Sequence, residues 1–475
     1  MITSGDMDPE DFRREAHRIA DWIADYLSRP EAFPVLSRSR PGDIRGALPD
    51  AAPDGGEPFD RIFADFERII LPGITHWNHP GFFAYFAITG SGPGVLAEFL
   101  SAALNVQAML WRTSPAATEL EEVTLGWLGQ LLGMPEAFEG VIYDTASVSS
   151  LHALAAARER AIAGVRARGL AGLPAQGPRV YLSEEAHSSI DKAVMLLGLG
   201  QESLRRIEVD DEFRMRPDAL AAAIAEDARR GHVPVAVVAT IGTTSTTAAD
   251  PVAPVAAICR RHDVWLHVDA AYAGPAAMLP ECRSAFEGTA AADSLVVNPH
   301  KWLFTPFDAS VLFCRHMDLL RSAFSLTPEY LRTAESGAVR NLMDTGIQLG
   351  RRFRALKLWM VVRYFGADGL RAALREHMRL ARLFASWVDS SAAFERVAPV
   401  PFSVVCFRAR GTDELNERLL DRLNGSGEVY LSHTRVRGRF TLRLAVGNLR
   451  TTEAHVARAW TLAQQYAAEL STSAG

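Results

Sequence analysis

The sequence predicts an α/β protein built around a mostly parallel β-sheet. Short runs rich in β-branched residues alternate, through the middle of the chain, with helical stretches rich in alanine, leucine and arginine. This alternation is typical of parallel strands joined by crossover helices. The strands are predicted at residues 179–183, 233–240, 264–269, 294–298 and 310–314. Because ligands bind at the carboxyl ends of the strands in such sheets, the residues that follow each run are the first candidates for a functional site.

The amino-terminal segment is predicted to be an arm. Apolar residues recur with helical spacing among charged residues from 11 to 27, which indicates an amphipathic helix, and a segment rich in proline and glycine follows at 30–58. One such helix has too little apolar surface to be stable alone. We therefore expect residues 1–85 to form a helical arm that packs on the main body or on a partner subunit, and a dimer follows from the second possibility.

The carboxyl-terminal part is predicted to be a separate, smaller domain. A helical stretch at 351–364 is interrupted by Gly366, and a new helix is predicted at 370–390. Strands are predicted near residues 403–408, 428–432 and 440–444. Because a single core stops growing at about 250 to 300 residues, we expect a large α/β domain over residues 86–369 and a small α+β domain over residues 370–475.

The composition excludes several classes of protein. The chain of 475 residues is 48% hydrophobic and 22% charged with a formal net charge of -6, which provides no field for binding nucleic acid. The sequence begins with polar and acidic residues and contains no run of about 18 apolar residues, so neither a secretory signal nor a membrane span is predicted. The cysteines are Cys259, Cys282, Cys314 and Cys406, and they lack the spacing of metal ligands. We expect buried thiols, no metal and a cytoplasmic location.

Two residues that follow predicted strands suggest a specific chemistry. Asp269 ends one strand, and Lys301 lies in the sequence Asn-Pro-His-Lys-Trp just after another. A lysine amine can form a Schiff base with the aldehyde of pyridoxal phosphate, and an aspartate beside the ring nitrogen keeps that nitrogen protonated. Taken alone, the lysine fits an ordinary surface charge and the aspartate a turn or a helix cap. Together they favour a pyridoxal phosphate site.

Further candidates lie after other strands. Ala146 and Ser147 begin a predicted helix whose amides could hold a phosphate, although helix capping is the simpler interpretation. Asn298 and His300, beside the lysine, could donate hydrogen bonds to the same phosphate. His187 could stack on a pyridine ring or reach a substrate carboxylate, with a surface histidine as the alternative. Another strand precedes Thr244, which could contact the cofactor's phenolic oxygen or simply lie in a Gly/Thr turn.

A family resemblance becomes visible in the longer motifs. They are His76-Trp77, Ala84-Tyr85-Phe86, Trp111 with Thr113-Ser114-Pro115, Thr118 to Glu121, Asp144 to Ser147, Ala186 to Ser189, His267 to Gly274, Asn298 to Trp302 and Leu349 to Arg354. In this collinear order, from about His76 to Arg450, the chain resembles the group II pyridoxal-phosphate-dependent decarboxylases, and among them the aromatic L-amino acid decarboxylases. Several of these motifs are too long for chance agreement.

The resemblance implies a fold-type I homodimer with a seven-stranded sheet and a site at the subunit interface. Lys301 then corresponds to the Schiff-base lysine, Asp269 to the partner of the ring nitrogen and His187 to the residue stacked on the ring. The implied cofactor-binding set is Ala146, Ser147, His187, Thr244, Asp269, Ala271, Ser294, Asn298, His300, Lys301 and Gly350. Of these, Gly350 is expected to act from the other subunit.

The resemblance also indicates what happens after carbon dioxide leaves. In this family a tyrosine on a mobile loop is the proposed donor of the proton to the alpha carbon, and Tyr330 fits that position. Relatives that lack this hydroxyl tend to let oxygen react instead, giving an aldehyde, ammonia and hydrogen peroxide. The presence of Tyr330 and His187 favours the amine product. A pyridoxal-phosphate-binding protein without turnover is a further alternative, which predicts a yellow protein that leaves amino acids unchanged.

The predicted substrate pocket departs from the family pattern. The pocket residues implied by the resemblance are Trp77, Tyr85, Phe86, Ile88, Met109 and His187. Aromatic decarboxylases typically carry Pro-Thr where this chain has Ala87-Ile88, and an aromatic residue from the opposing subunit where it has Met109. Several aromatic walls are kept, so we expect an aromatic or bulky apolar L-amino acid as substrate.

Overall fold

A seven-stranded β-sheet forms the centre of the computed structural model, which describes residues 5–171, 173–174, 176–326 and 338–472. The described residues form strands that belong to this sheet and to a second, smaller one. They are β1 (Phe82–Phe83), β2 (Glu139–Tyr143), β3 (Pro178–Ser183), β4 (Leu204–Ile207), β5 (Val233–Thr240), β6 (Trp265–Asp269), β7 (Ser294–Val297), β8 (Ser310–Cys314), β9 (Phe394–Arg396), β10 (Val404–Ala409), β11 (Tyr430–Val436) and β12 (Arg439–Ala445). The central sheet has the order β2-β8-β7-β6-β5-β3-β4. Only β8 runs against its neighbours, so the prediction of a mostly parallel sheet is confirmed.

The central strands are buried on both faces. Along β5, Ala236 and Val238 pack into one hydrophobic cluster, whereas Val237 and Ala239 pack into a second one. Because successive side chains of a strand point to opposite faces, these two clusters are the cores on either side of the sheet. A continuous run of apolar residues is what a parallel strand covered by helices on both faces requires.

Helices pack around the central sheet and around the smaller one. They are α1 (Pro9–Ser28), α2 (Asp43–Ala47), α3 (Phe59–Asp65), α4 (Gly92–Leu104), α5 (Pro115–Leu132), α6 (Ala146–Ala161), α7 (Val165–Arg168), α8 (Ser189–Leu196), α9 (Pro217–Arg229), α10 (Val252–His262), α11 (Pro299–Trp302), α12 (Met317–Phe324), α13 (Ala355–Asp389), α14 (Asp413–Gly425) and α15 (Glu453–Thr472). Among the described residues, no helix is both long and apolar enough to cross a membrane. The helix predicted at 370–390 is the second half of α13, and Gly366 produces a kink between the two halves with φ 62° and ψ 174°.

A second, smaller sheet has the order β1-β11-β12-β10-β9. Its strands from the carboxyl-terminal part are antiparallel, whereas β1 comes from the amino-terminal part and pairs in parallel with β11. Through β1 the chain at Phe82 and Phe83 is fixed to this sheet immediately before Tyr85 and Phe86. The small sheet therefore determines where these two aromatic residues lie.

The arm helix α1 contacts its own chain. Trp22 packs edge-on against Phe63 and Phe66, with ring centroids 6.4 and 5.3 Å away. At the end of the helix the Tyr26 hydroxyl lies 3.0 Å from His76 Nδ1. These contacts bury one side of α1 and leave the remainder of its apolar surface, which includes Phe12, exposed.

Candidate active site

A cavity of about 220 Å³ lies at the carboxyl edge of the central sheet, where β5, β6 and β7 end and α6 begins. Its walls are formed by Phe86, Ile88, Thr145, Ala146, Ser147, His187, Ser189, Thr240, Gly242, Thr244, Asp269, Ala271, Tyr272, Asn298, His300, Lys301 and Phe307. The fold thus brings together, in one cavity, every cofactor-binding residue proposed from the sequence except Ser294 and Gly350.

Lys301 enters this cavity from α11, the short helix that turns the chain after β7. Burial lowers the pKa of its amine, and the nearby Asp269 carboxylate opposes this effect. The Lys301 Nζ atom lies 5.3 Å from the centroid of the Phe86 ring. A lowered pKa increases the fraction of uncharged amine, which is the form that attacks an aldehyde carbon.

Asp269 occupies the last position of β6 and is only 6% exposed. Its Oδ1 atom accepts a hydrogen bond of 3.1 Å from the backbone N–H of Ala271, which holds the carboxylate at the strand end. The carboxylate at the end of β6 and the Lys301 amine on α11, which follows the neighbouring strand β7, therefore line the same cavity. This is the pairing that a pyridoxal phosphate ring requires, with an amine for its aldehyde and an acid for its ring nitrogen.

His187 lies between β3 and α8 and lines the same cavity. Its Nδ1 atom accepts a hydrogen bond of 3.1 Å from the Ser189 backbone N–H and lies 2.9 Å from the Ser189 hydroxyl. Burial lowers the pKa of His187, the Asp269 carboxylate opposes this, and Lys301 adds to the lowering. In the neutral ring the proton is therefore on Nε2, because Nδ1 is already an acceptor. His187 is thus a hydrogen-bond donor through Nε2.

The start of α6 has the properties of an anion site. Thr145 is the N-cap residue, but its side chain makes no capping hydrogen bond and instead donates to Asp144. Thr145, Ala146 and Ser147 all line the cavity. Because the first amides of a helix carry partial positive charge and lack partners within the helix, they are suited to bind phosphate oxygens.

Two polar residues beside Lys301 complete this wall. The His300 Nδ1 atom accepts a hydrogen bond of 3.0 Å from the Ala309 backbone N–H, and burial lowers the pKa of His300 to about 3. The ring is therefore neutral and can donate through Nε2. Asn298 is 1% exposed, and its Oδ1 atom has no hydrogen-bond partner among the described residues. An amide oxygen and an amide nitrogen are interchangeable by rotation, so this end of Asn298 can serve a phosphate as a donor. The residues fit pyridoxal phosphate.

A buried histidine lies behind Asp269 on the same strand. The two ring nitrogens of His267 lie 2.9 Å from the Ser294 hydroxyl and 3.0 Å from the Ser150 hydroxyl. Burial lowers the pKa of His267 to about 4, although the nearby Asp269 carboxylate acts to raise it. A neutral His267 places no second positive charge beside the Asp269 carboxylate, so that charge stays available to the cofactor.

The structure places Ser294 away from the cavity, which contradicts its inclusion in the cofactor-binding set. Ser294 is the first residue of β7 and pairs with His267, whereas the cavity lies at the other end of these parallel strands. Its hydroxyl lies 2.9 Å from both Trp265 Nε1 and His267 Nδ1. Ser294 therefore supports the sheet behind Asp269.

An adjoining cavity of about 290 Å³ extends from the first toward the small sheet. Its lining consists of Trp77, Tyr85, Phe86, Ile88, His187, Thr244, Ser245, Lys301, Ser432, His433, Thr434 and Arg443. Trp77 and Tyr85 are stacked with ring centroids 5.9 Å apart. All of the substrate-pocket residues proposed from the sequence line this second cavity, except Met109. The space therefore has aromatic walls on one side and polar groups of β11 and β12 on the other.

Two further proposed residues lie outside both cavities of a single chain. Met109 and Gly350 do not line either cavity within one chain, and they belong to adjacent segments, since the Ala108 backbone N–H donates to the Arg351 carbonyl oxygen at 2.9 Å. Both therefore remain predictions about a partner subunit. Tyr330 lies outside the residues that the structure describes.

Sequence reasoning missed several cavity residues. Phe307 lines the first cavity and Ser432, His433 and Arg443 line the second. A signal existed for Arg443 alone, because it is a charged residue among the apolar residues of a predicted strand. The others come from loops and strands that reach the site only through the tertiary fold.

The whole chain is similar to known decarboxylases and to an aldehyde synthase. Residues 41–410 match the family model of the pyridoxal-dependent decarboxylase conserved domain. An aromatic-L-amino-acid decarboxylase of Sus scrofa is 41% identical, with 98% of this chain and 98% of that protein aligned. A phenylacetaldehyde synthase of Arabidopsis thaliana is also 41% identical, over 98% of this chain and 97% of that protein. The crystal structure of Catharanthus roseus tryptophan decarboxylase in complex with L-tryptophan matches with a TM-score of 0.92 and 39% identity, covering 98% of this chain and 100% of that chain.

Proposed function

This chain belongs to the pyridoxal-dependent decarboxylase family, and from that premise we propose that it converts an aromatic or bulky apolar L-amino acid into the primary amine and carbon dioxide. It is a decarboxylase of fold type I with pyridoxal phosphate as cofactor. The observation that carries the substrate class is the aromatic wall of Trp77, Tyr85 and Phe86 beside Lys301. A flat, apolar side chain buries its surface most completely against such rings.

The bound cofactor supplies an aldehyde that condenses with amines and a ring that accepts the electron pair left by the departing carboxylate. The Lys301 amine, whose pKa is lowered by burial, would hold the cofactor before substrate arrives. The Asp269 carboxylate would keep the ring nitrogen protonated. Ala146, Ser147 and His300 would hold the phosphate through N–H donors.

The residues around the substrate have complementary tasks. His187 lines both cavities, and its neutral ring carries the proton on Nε2 because Nδ1 accepts from the Ser189 backbone N–H. A donor in this position can orient the substrate carboxylate without placing a full positive charge against it. The aromatic side chains remove water from the reacting carbon, which strengthens each of these polar interactions.

The amine product is proposed because Tyr330 can donate the final proton to the alpha carbon. We expect the wild-type enzyme to release amine and carbon dioxide in equal amounts from its best substrate, with little peroxide. For Tyr330→Phe, amine formation should fall by about 10²-fold to 10⁴-fold, the usual contribution of a positioned proton donor, and aldehyde and peroxide should become the main products. A panel of the twenty common amino acids and hydroxylated aromatic variants, assayed for carbon dioxide, amine and peroxide, measures both outcomes.

Tyr364→Phe is a matched control, because Tyr364 is 73% exposed on α13 and does not line either cavity. It should behave as wild type. Wild-type enzyme that consumes oxygen in step with carbon dioxide would assign the chain to the aldehyde synthases. An unchanged product ratio in Tyr330→Phe would instead contradict the role of Tyr330 alone.

We also propose that two copies of the chain form the working enzyme. The outer face of α4 carries Leu96 and Leu104, which are 63% and 61% exposed. Beside it, α1 and α4 enclose a groove of about 440 Å³ walled only by apolar side chains and glycine. A second copy that covers these faces would remove this apolar surface from water.

A shared site predicts complementation between two inactive variants. Lys301→Ala lacks the reactive amine, and Gly350→Glu places a carboxylate where the phosphate of the partner's cofactor is expected. If Gly350 acts across the interface, a mixed dimer contains one intact site, and random pairing of equal amounts should restore about a quarter of wild-type activity. The measurement is activity after co-expression with two affinity tags. Two inactive homodimers that stay inactive when paired would show that each site is complete within one chain.

A further inference from the structure

Arg443 is a buried arginine with an unusual set of partners. It lies on β12, is 4% exposed and lines the second cavity. Its Nε atom donates to the carbonyl oxygen of Ser245 at 2.8 Å. Its Nη1 atom donates to the carbonyl oxygen of Tyr85 at 3.3 Å and to the Ser432 hydroxyl at 3.0 Å. The guanidinium therefore joins three separate parts of the chain.

Arg443 differs from its neighbours in how its charge is paired. Among the described residues, no carboxylate lies within 4.0 Å of it, whereas most other arginines of the small sheet pair with Asp or Glu. Its Nη2 atom is buried and has no hydrogen-bond partner there. A buried charge with only neutral acceptors costs stability. Because Nη2 is buried and both Nε and Nη1 donate to oxygens of the protein, the polar atoms of the guanidinium are directed at the chain itself.

The three partners are the segments that shape the substrate cavity. Ser245 follows Thr244, the residue assigned to the cofactor's phenolic oxygen, and its hydroxyl lies 2.9 Å from that of Thr434. Tyr85 has a left-handed backbone with φ 53°, which turns the chain between β1 and Phe86. The Tyr85 backbone N–H donates to the Ser432 hydroxyl at 3.1 Å. Arg443 therefore binds the backbone carbonyl oxygen of this strained residue, and Ser432 binds its backbone N–H.

Arg443 also touches the aromatic ring beside the reactive lysine. Its Cζ atom lies 5.3 Å from the centroid of the Phe86 ring, the same distance as the Lys301 Nζ atom. Phe86 stacks on Tyr272 with ring centroids 3.8 Å apart, and Tyr272 stacks on Trp302 at 4.9 Å. A displacement of Arg443 would therefore move the ring against which Lys301 lies.

We propose that Arg443 is a positioning residue for the substrate cavity, which holds the turn at Tyr85, the loop at Ser245 and the ring of Phe86 in the arrangement that the reaction needs. This inference rests on the proposed function for the identity of the cavity. A planar guanidinium donates in several directions and lies flat on a ring, which a lysine ammonium does not do. Arginine is therefore required at this position for its shape, and its charge is a cost that the site carries.

The test compares Arg443→Met and Arg443→Lys with Arg408→Met. Arg408 is a matched control, because it is a buried arginine of the same sheet, 2% exposed, and lines neither cavity. It donates to Asp413 at 2.9 Å and to the carbonyl oxygens of Phe440 and Gly411 at 3.1 and 2.8 Å. Its loss should lower the thermal midpoint and leave kcat/KM within about threefold of wild type, since the cavity is intact.

We expect both Arg443 variants to lose at least about tenfold in kcat/KM for the preferred amino acid, since small displacements in a site have large effects. The affinity of the apoprotein for pyridoxal phosphate should change less than about threefold, because the phosphate residues lie in the other cavity. The amine product, measured as an inhibitor, should also bind more weakly. Its affinity should fall by about the same factor as the affinity for the amino acid. Visible circular dichroism of the bound cofactor should differ from wild type in the Arg443 variants only.

Several results would overturn the inference. If amino acid binding weakens while amine binding does not, Arg443 recognises the carboxylate directly. If Arg443→Lys matches wild type, the charge is sufficient and the shape is not required. If the Arg443 variants and Arg408→Met show the same changes, the role is purely structural. If Arg443→Met does not fold, the comparison of Arg443→Lys with wild type and with Arg408→Met still distinguishes these outcomes. Wild-type protein that releases no carbon dioxide from any amino acid would refute the proposed function, and the dichroism of the variants would still test Arg443.

Discussion

Replacing Lys301 by alanine is expected to reduce decarboxylation by at least about a thousandfold, because the variant lacks the amine that binds the cofactor aldehyde. The cavity itself should persist, since the remaining donors to the phosphate are unchanged. The variant should still bind pyridoxal phosphate, but borohydride should leave no covalently attached cofactor. Single-turnover kinetics and the visible absorption spectrum before and after reduction measure the two effects.

The sequence offers an unusually direct control for this experiment. The chain contains only three lysines, Lys192, Lys301 and Lys357. Lys192 is exposed on α8, whereas Lys357 is buried and pairs with Glu98. Peptide mass mapping of the reduced wild-type enzyme should find the cofactor on Lys301 alone, and Lys192→Ala should be fully active. Cofactor trapped on Lys192 or Lys357 would show that the assignment of Lys301 is wrong.

The parallel sheet could be predicted because its strands carry their own signal. A run such as Val233–Thr240 is apolar at nearly every position, and such a run fits a strand covered on both faces. Polar residues that follow these runs, namely Asp269 and Lys301, then had to lie at one edge of the sheet. By contrast, β4 was missed, because Leu204–Ile207 is an edge strand with two central arginines and no apolar run.

The parts of the site that could not be predicted depend on distant contacts. Ser294 follows no strand but begins one, so its position relative to the cavity depends on strand direction, which the motif resemblance did not resolve. Arg443 joins Tyr85 and Ser245, residues far apart in the sequence, and no local pattern encodes such a meeting. Local chemistry could therefore be assigned from the sequence, whereas the support around it required the fold.

The fold also changes the pKa values of Lys301 and His187, which the sequence identified as site residues without indicating how readily they ionise. Both have pKa values lowered by burial, and both feel the opposing influence of Asp269. His187 is further restricted to one tautomer by Ser189. A single carboxylate thus affects the protonation of two neighbours, and its replacement should have consequences beyond the ring nitrogen.

Asp269→Asn is accordingly expected to lower kcat by about 10²-fold to 10⁴-fold while leaving the protein folded. Asparagine keeps the shape of the side chain and can still accept from the Ala271 backbone N–H, but it carries no negative charge. The ring nitrogen of the cofactor would then lose its proton, and the ring would accept electrons poorly. Loss of the carboxylate should also lower the pKa values of Lys301 and His187 further, because it opposes their lowering in the wild type.

The measurement is single-turnover decarboxylation, together with a pH titration of the cofactor's visible absorption. Asp227→Asn is the matched control, since Asp227 is also a buried aspartate, 1% exposed on α9, but lines neither cavity. It should alter thermal stability and leave the spectrum unchanged. A supplied N-methylated pyridoxal phosphate has a permanently positive ring nitrogen, so it should restore part of the activity of Asp269→Asn. If it restores none while binding normally, the carboxylate acts through Lys301 and His187, and its assigned role of keeping the ring nitrogen protonated is wrong.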